Sequence, residues 1–141
     1  SQEGKRIKQK LFEALPALKK LRDNVIISAR NKKYLLGLDK RKLIPRSEHS
    51  SLNLLIQSCG ALILKRATVI LHNKLKEKNY NDDVQMVAHI HDELQLQCKS
   101  SIADAVGKIA KQSIIDAGVY FNLRCPLDAA YKIGTNWSQT H

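Results

Sequence analysis

Apolar side chains recur every three or four residues in three stretches of the chain, which is the spacing of amphipathic helices. The first stretch runs from residue 4 to about residue 28, and Pro16 should kink it or split it because proline lacks a backbone donor. The second, from about 48 to 78, begins after the N-cap candidates Ser47, Ser50 and Ser51. The third spans about 101 to 117, with Gly118 as its stop. The stripe expected to be buried on the second helix comprises Leu52, Leu55, Ile56, Cys59, Leu62, Ile63, Val69 and Ile70.

Alternation with a period of two follows the polar break at residues 79–83 and indicates strands. Residues 84–90 and 94–98 both alternate, so they predict a tight antiparallel hairpin with His91 and Asp92 at its tip. A smaller basic hairpin is predicted between residues 34 and 45, and a last strand near 127–133. The fold class is therefore predicted as α+β, with antiparallel β-hairpins packed with long helices.

The length of the chain indicates one folded unit, and its charge indicates a polyanionic partner. A chain of 141 residues with 43% hydrophobic residues suffices for one domain, so residues 1–141 are expected to form a single unit. Lys and Arg number 24 against 13 Asp and Glu, a net charge of +11. Residues 1–50 hold 14 of these cations and 5 of the acids, so the positive field belongs to the front of the chain. The alternative is a solvated basic surface that serves solubility alone.

Cysteines and hydropathy indicate a cytoplasmic setting. Cys59, Cys98 and Cys125 are far apart and odd in number, which favours reduced thiols over disulfides or a zinc motif. No window of about 20 residues lacks charge, so we expect no membrane span and no membrane partner.

The densest group of ionisable residues is His89-Ile90-His91-Asp92-Glu93. Two adjacent carboxylates at a hairpin tip repel each other unless a cation lies beside them, and hard oxygen ligands select Mg²⁺ or Mn²⁺. A divalent-metal site at Asp92 and Glu93 is therefore predicted, against the alternative of a solvated acidic turn. A second alternative is a zinc hydrolase that uses His89, His91 and Glu93.

A polar row lies on the second helix. His49, Asn53 and Gln57 recur every four residues and share one face, which continues at the small residue Gly60. A row of hydrogen-bond donors suits the minor groove of DNA, where every base pair offers an acceptor. The alternative is an ordinary solvated helix face.

Together these residues resemble the family A DNA polymerases. His91-Asp92-Glu93 between alternating strands is similar to motif C of that family, and His49-x-x-x-Asn53-x-x-x-Gln57-x-x-Gly60 is similar to its minor-groove-reading helix. Leu38-Asp39-x-Arg41, Arg46 and the ending Gly134-x-Asn136-Trp137 also match, most closely in the podovirus branch.

The resemblance implies a role for each matching position. Asp92 and Glu93 would be catalytic and metal-binding carboxylates that contribute to a two-Mg²⁺ site, with Asp92 the principal ligand. His91 would lie near the primer terminus. Asn53, Gln57, His49 and Arg46 would contact primer–template DNA, although His49 replaces the arginine of many bacterial members. The implied reaction is template-directed transfer of nucleotides from deoxynucleoside triphosphates.

The resemblance also indicates what the chain lacks. No upstream residue resembles the aspartate of motif A, which would complete the metal site, and the Arg/Lys/Tyr helix of motif B is likewise absent. We therefore expect a palm subdomain fragment that is inactive without the upstream part of the polymerase. An open sheet edge would favour a homo-oligomer of the isolated fragment. The alternative function is a non-catalytic basic duplex-DNA-binding module.

Overall fold

A computed structural model of the chain describes residues 2–140, which group into two compact units, one up to Cys59 and one from Gly60. The boundary falls inside one continuous helix, so the expected single domain remains a prediction. Long helices and two small antiparallel sheets confirm the predicted α+β class.

The first unit contains two helices and a small hairpin. Helix α1 (Gln2–Ala14) ends just before Pro16, which occupies the first turn of α2 (Pro16–Lys32), so the predicted split is confirmed. Strands β1 (Leu35–Leu36) and β2 (Lys42–Leu43) form the predicted basic hairpin. The buried core of this unit consists of Val25, Ala29 and Leu35, with Leu43, Leu52 and Leu55 packed against it.

Helix α3 (Ser51–Glu77) follows a single 3₁₀ turn (Glu48–Ser50). Among the three candidate serines, Ser47 is the N-cap. It forms a capping box with Ser50, in which each side chain accepts a hydrogen bond from the backbone N–H of the other. The fully buried Ser51 donates to the carbonyl oxygen of Ser47 at 3.2 Å. The two capping-box bonds satisfy backbone donors that a helix start leaves unpaired, and they cap the 3₁₀ turn that leads into α3.

The second unit packs a hairpin and a helix on the rear half of α3. Strands β3 (Val84–Ile90) and β4 (Glu93–Cys98) pair antiparallel, and helix α4 (Ala103–Tyr120) follows a 3₁₀ turn (Ser100–Ile102). A further 3₁₀ turn spans Trp137–Gln139. The core residues are Leu71, Leu75, Val84 and Val106. An ion pair between Lys74 and Asp116 also links α3 to α4.

The predicted buried stripe of α3 is wrong at two positions. Ile56 and Val69 are 57% and 49% exposed, whereas Ala67, Leu71 and Leu75 are buried. Ile56 lines an open cleft in the first unit and Val69 lines a groove in the second, so each faces solvent along part of its surface. The helical period was correct, but which apolar residues are covered depends on neighbouring elements.

Two expectations about the C-terminal part are also wrong. Helix α4 continues through Gly118 to Tyr120, and the left-handed residue just after the helix is Asn122. Gly118 is buried under Leu127, where an added Cβ would lie 2.9 Å from the Leu127 Cγ. Residues 127–133 pair with no strand in the described chain; instead, Leu127 and Tyr131 pack against glycines of α4. The alternation that suggested a strand reflects an extended segment lying on a helix.

One helix within residues 2–140, spanning Glu48–Glu77, is long and apolar enough to cross a membrane by length and composition. Our expectation of no membrane span relied on charge in every window, and Lys65 and Arg66 lie in the middle of this stretch. Charged residues at the centre of a spanning helix are unfavourable. The helix also supplies Leu52 and Leu55 to one core and Leu71 and Leu75 to the other. The absence of a membrane partner stays a prediction.

Candidate metal-binding tip and nucleic-acid-binding face

The two-residue turn between β3 and β4 consists of His91 and Asp92, as predicted. Ile90 pairs with Glu93, so no unpaired residue lies between either strand and the two-residue turn. His91 has φ 53°, in the left-handed region that glycine prefers, and a tight hairpin turn of this kind needs such a residue. The turn thus holds Asp92 at the outermost point of the hairpin, with Glu93 beginning β4.

Strand β3 contains an irregularity that the sequence did not reveal. The register shifts between Met86 and Ala88, which leaves Val87 as an extra residue in a bulge. Val87 is 64% exposed and Met86 is 42% exposed, so two consecutive side chains reach solvent and the alternation breaks at the bulge. Bulges bend a strand and are common next to active sites.

The carboxylates at the tip differ in their surroundings. Asp92 is exposed, while Glu93 is partly buried and accepts a 3.4 Å hydrogen bond from the Gln95 amide. Both offer the hard oxygen atoms that Mg²⁺ binds. Across residues 2–140 no group of three or more His, Cys, Asp or Glu side chains could hold a metal ion. The zinc alternative therefore lacks its cluster, and a metal site at Asp92 and Glu93 stays a prediction.

The predicted polar row is open to solvent, but only Asn53 and Gln57 lie on α3, because His49 belongs to the 3₁₀ turn before it. His49, Asn53 and Gln57 are all exposed, and the structure gives the two amides no hydrogen bond to any other described residue. An added Cβ on Gly60 would meet nothing within 4 Å. The amide groups are therefore available to an external partner, and no side chain at Gly60 obstructs its approach.

Two arginines near the start of α3 differ in their partners: Arg30 forms an ion pair and Arg46 does not. Arg30 donates two hydrogen bonds to Glu48, at 2.8 and 2.6 Å, which lowers the pKa of Glu48 and raises that of Arg30. This pair joins α2 to the 3₁₀ turn that carries His49. Arg46 is exposed and has no ion-pair partner among the described residues, so its charge can attract an anion.

His49 and Asn53 also line a cleft that sequence reasoning missed. We call it the α1–α3 cleft; its volume is about 310 Å³, and it lies within the first unit. The lining residues are Lys8, Phe12, Arg22, Ile26, Glu48, His49, Leu52, Asn53 and Ile56. The guanidinium of Arg22 lies 5.3 Å from the centre of the Phe12 ring. Lys8 and Phe12 are four residues apart on α1, so their spacing predicts that they share a helix face. It does not predict which other residues that face contacts.

Comparison with known proteins assigns the chain to a family. The family model "DNA polymerase family A" matches residues 1–139, so the chain belongs to the DNA polymerase A family. The DNA-directed DNA polymerases of Enterobacteria phage T3 and Escherichia phage T7 are each 34% identical over 98% of this chain. DNA polymerase I of Caldicellulosiruptor bescii is 31% identical over 93% of it. The resemblance stated from the residues is thereby confirmed.

The chain is much shorter than these relatives. It spans 22% of each phage polymerase and 16% of the Caldicellulosiruptor enzyme. The solved POL domain of Pol1 from M. smegmatis, in complex with DNA primer-template and dNTP, matches with a TM-score of 0.73 at 19% identity. That match covers 82% of this chain and 22% of the other, and it supports the fold.

Proposed function

We propose that the chain is the part of a DNA-directed DNA polymerase that carries the motif C carboxylates and the minor-groove-contacting helix. The observation that carries the proposal is the position of Asp92 at the tip of the β3–β4 hairpin in a chain of family A. Template-directed nucleotidyl transfer would be the activity of the complete enzyme. The isolated chain would be inactive, because two carboxylates do not complete a two-metal site.

Asp92 and Glu93 would hold Mg²⁺ together with a carboxylate from the upstream part of the polymerase. When bound, the ions would supply charge stabilisation at the phosphoryl group undergoing transfer. The chain's own contribution is positional: the His91 turn projects Asp92, and the hydrogen bond from Gln95 orients Glu93. His91 would lie beside the primer end.

Primer–template DNA would be the partner of the polar row. Asn53 and Gln57 are solvent-exposed amides on one helix face, so they can donate to minor-groove acceptors of any sequence. His49 and Arg46 would contact primer or template close by. Deoxynucleoside triphosphates would be the other substrates, and synthesis of this type would place the protein in the bacterial cytoplasm, at the nucleoid or in a phage-infected cell.

A second candidate is a non-catalytic module that binds duplex DNA. It is favoured by the basic charge of residues 1–50. This candidate predicts salt-dependent DNA binding without metal-dependent activity.

A chimera tests the catalytic proposal. Residues 1–141 would replace the matching segment of the phage T7 polymerase, and primer extension would be followed with Mg²⁺. Asp92→Asn should lower the rate by about 100- to 1,000-fold, because it removes a charge at the metals. The matched control is Asp82→Asn, at an exposed residue in the turn before β3, which should extend primers like the unmodified chimera. Full activity of the Asp92→Asn chimera would contradict the proposal.

A further inference from the structure

The side chain of Arg66, in the middle of α3, lies over the ring of Tyr120 at the end of α4. The guanidinium carbon is 3.6 Å from the centre of that ring. The Tyr120 ring also makes a T-shaped contact with Phe121, with 5.1 Å between the ring centres. A cation is attracted to the face of an aromatic ring, so these contacts restrict how the Arg66 and Tyr120 side chains can turn.

The charge of Arg66 is not matched by a carboxylate in the part of the chain that the structure describes. The only acid of α3 is Glu77, at the far end of the helix. Asp116 of α4 already accepts hydrogen bonds from Lys74 and Gln112, one at each carboxylate oxygen. Arg66 therefore carries a positive charge that a carboxylate from outside the chain can bind.

The nitrogen atoms of Arg66 differ in their access to solvent. Nε is buried and has no hydrogen-bond partner among residues 2–140. The two terminal nitrogens are not in that state and, since they make no hydrogen bond to the described chain, they reach solvent. Nε gave up its hydrogen bond to water when the chain folded, so part of the cost of desolvating the guanidinium is already incurred in the free protein. The terminal nitrogens remain available as donors to a partner.

Exposed apolar surface lies beside this guanidinium. Tyr120 is 57% exposed, and Val119, the residue before it on α4, is 74% exposed. Tyrosine and arginine are enriched among the side chains that dominate the energy of protein interfaces. We call Arg66, Val119 and Tyr120 the Arg66–Tyr120 surface; all three residues lie in the second unit.

Charge and polarity favour a peptide over nucleic acid at this surface. Residues 60–141 hold 10 Lys and Arg against 8 Asp and Glu, so they lack the excess of cations that holds a nucleic-acid backbone. A phosphate backbone would also bring charged atoms, not apolar ones, against Val119. A peptide can supply both a carboxylate for Arg66 and an apolar side chain that covers Val119 and Tyr120.

We propose that the Arg66–Tyr120 surface binds an acidic peptide segment of a partner protein. A carboxylate of that segment accepts hydrogen bonds from the terminal nitrogens of Arg66, and a neighbouring apolar side chain packs on Val119 and Tyr120. Because the tyrosine ring already holds the guanidinium in place, little side-chain freedom is lost on binding. This interaction goes beyond DNA synthesis and uses no residue of the proposed metal site or of the polar row.

The experiment measures binding of a fluorescein-labelled peptide of repeated Glu-Leu-Asp-Phe units to the 141-residue chain, by fluorescence anisotropy. Arg66→Gln should weaken binding by about tenfold, because it removes both the charge and the stacked guanidinium. The matched control is Lys76→Gln, which removes one positive charge from an exposed residue of the same helix and should change affinity by less than about twofold. A peptide with Gln and Asn in place of Glu and Asp should bind the unmodified chain about tenfold more weakly.

A second pair of variants avoids any change to a packed side chain. Val119→Asp places a negative charge at an exposed position of the surface, so it should repel the peptide and weaken binding by about tenfold. Val87→Asp introduces the same charge at another exposed valine of the second unit and should leave affinity unaltered. Circular dichroism should show the same helix content in both variants.

Methyl NMR locates the bound peptide on the chain. With labelled valine, addition of the peptide should shift the Val119 signals and leave the Val87 signals in place. Binding without a shift at Val119 would place the peptide on the basic residues 1–50 and overturn the proposal.

Two further outcomes overturn the proposal. Equal losses of affinity in Arg66→Gln and Lys76→Gln would show that the peptide responds to overall charge alone. If Arg66→Gln weakens binding of a labelled DNA duplex as much as binding of the peptide, the surface binds phosphate and not a protein segment.

Discussion

The ring of Tyr131 lies directly over Gly107 of α4, so close that a β-carbon on Gly107 would overlap it. The Tyr131 hydroxyl donates a 2.8 Å hydrogen bond to Asp104, one turn earlier on the same helix. Further along, Lys111 pairs with Asp128 at 2.9 Å. The extended segment after α4 is thus held on the helix by a close contact and two polar contacts.

Gly107→Ala should destabilise the second unit because the new methyl group forces Tyr131 away. We expect a loss of about 1–3 kcal/mol in the free energy of unfolding, measured by urea titration. The control is Gly60→Ala, where an added Cβ meets nothing within 4 Å. That change should stabilise α3 by up to about 1 kcal/mol, from helix propensity alone. Equal changes in the free energy of unfolding for the two substitutions would show that the Tyr131 ring does not lie against Gly107.

Stability should fall in acid through Asp116. Hydrogen bonds from Lys74 and then Gln112 hold the pKa of Asp116 below its ordinary value. A lowered folded-state pKa gives stability that is present above the unfolded pKa, about 3.9, and is lost as pH falls through the folded one. The difference in unfolding free energy between wild type and Asp116→Asn should therefore shrink as pH is lowered from 5 to 2. Parallel pH profiles for the two proteins would refute this, and Lys74→Met should weaken the dependence in the same way.

Truncation of the amide row should weaken binding to duplex DNA without regard to sequence. We expect Asn53→Ala and Gln57→Ala each to lower affinity by about fivefold, because each would remove a proposed minor-groove hydrogen bond worth about 1 kcal/mol. Filter binding on two duplexes of different sequence measures this. Asn73→Ala, at another exposed residue of α3, changes helix propensity as Asn53→Ala does and should leave affinity unaltered. A loss confined to one sequence would contradict non-specific reading.

The isolated chain should self-associate through the β3–β4 sheet. The sheet has two strands, so each strand has one unpaired edge within the described chain, and Val87 adds exposed apolar surface beside it. Sedimentation should show a mass that rises with concentration, and Val87→Lys should suppress the rise because charge protects edge strands. A monomer at all concentrations would contradict the expected homo-oligomer.

The sequence predicted the helices, both hairpins and the His91-Asp92 turn because each depends on local periodicity or turn chemistry. Prediction from the sequence failed where contacts between distant residues determine the structure. Gly118 was taken for a helix stop since glycine is common there, but in the structure it makes room for Leu127. Predicting the α1–α3 cleft would have required knowledge of the contact between Phe12 and Arg22. These residues are ten positions apart, and no local pattern reveals their contact.

Backbone geometry at His91 would oppose hairpin stability to the role proposed for its imidazole beside the primer end. A non-glycine residue in the left-handed region costs about 1 kcal/mol, so glycine or asparagine there would make the hairpin more stable. Variants chosen only for heat resistance should therefore accumulate those replacements, whereas variants chosen for DNA synthesis should keep the imidazole. If the two sets of selected variants differ at position 91 in this way, histidine is kept there for its side chain although it lowers the thermal stability of the hairpin.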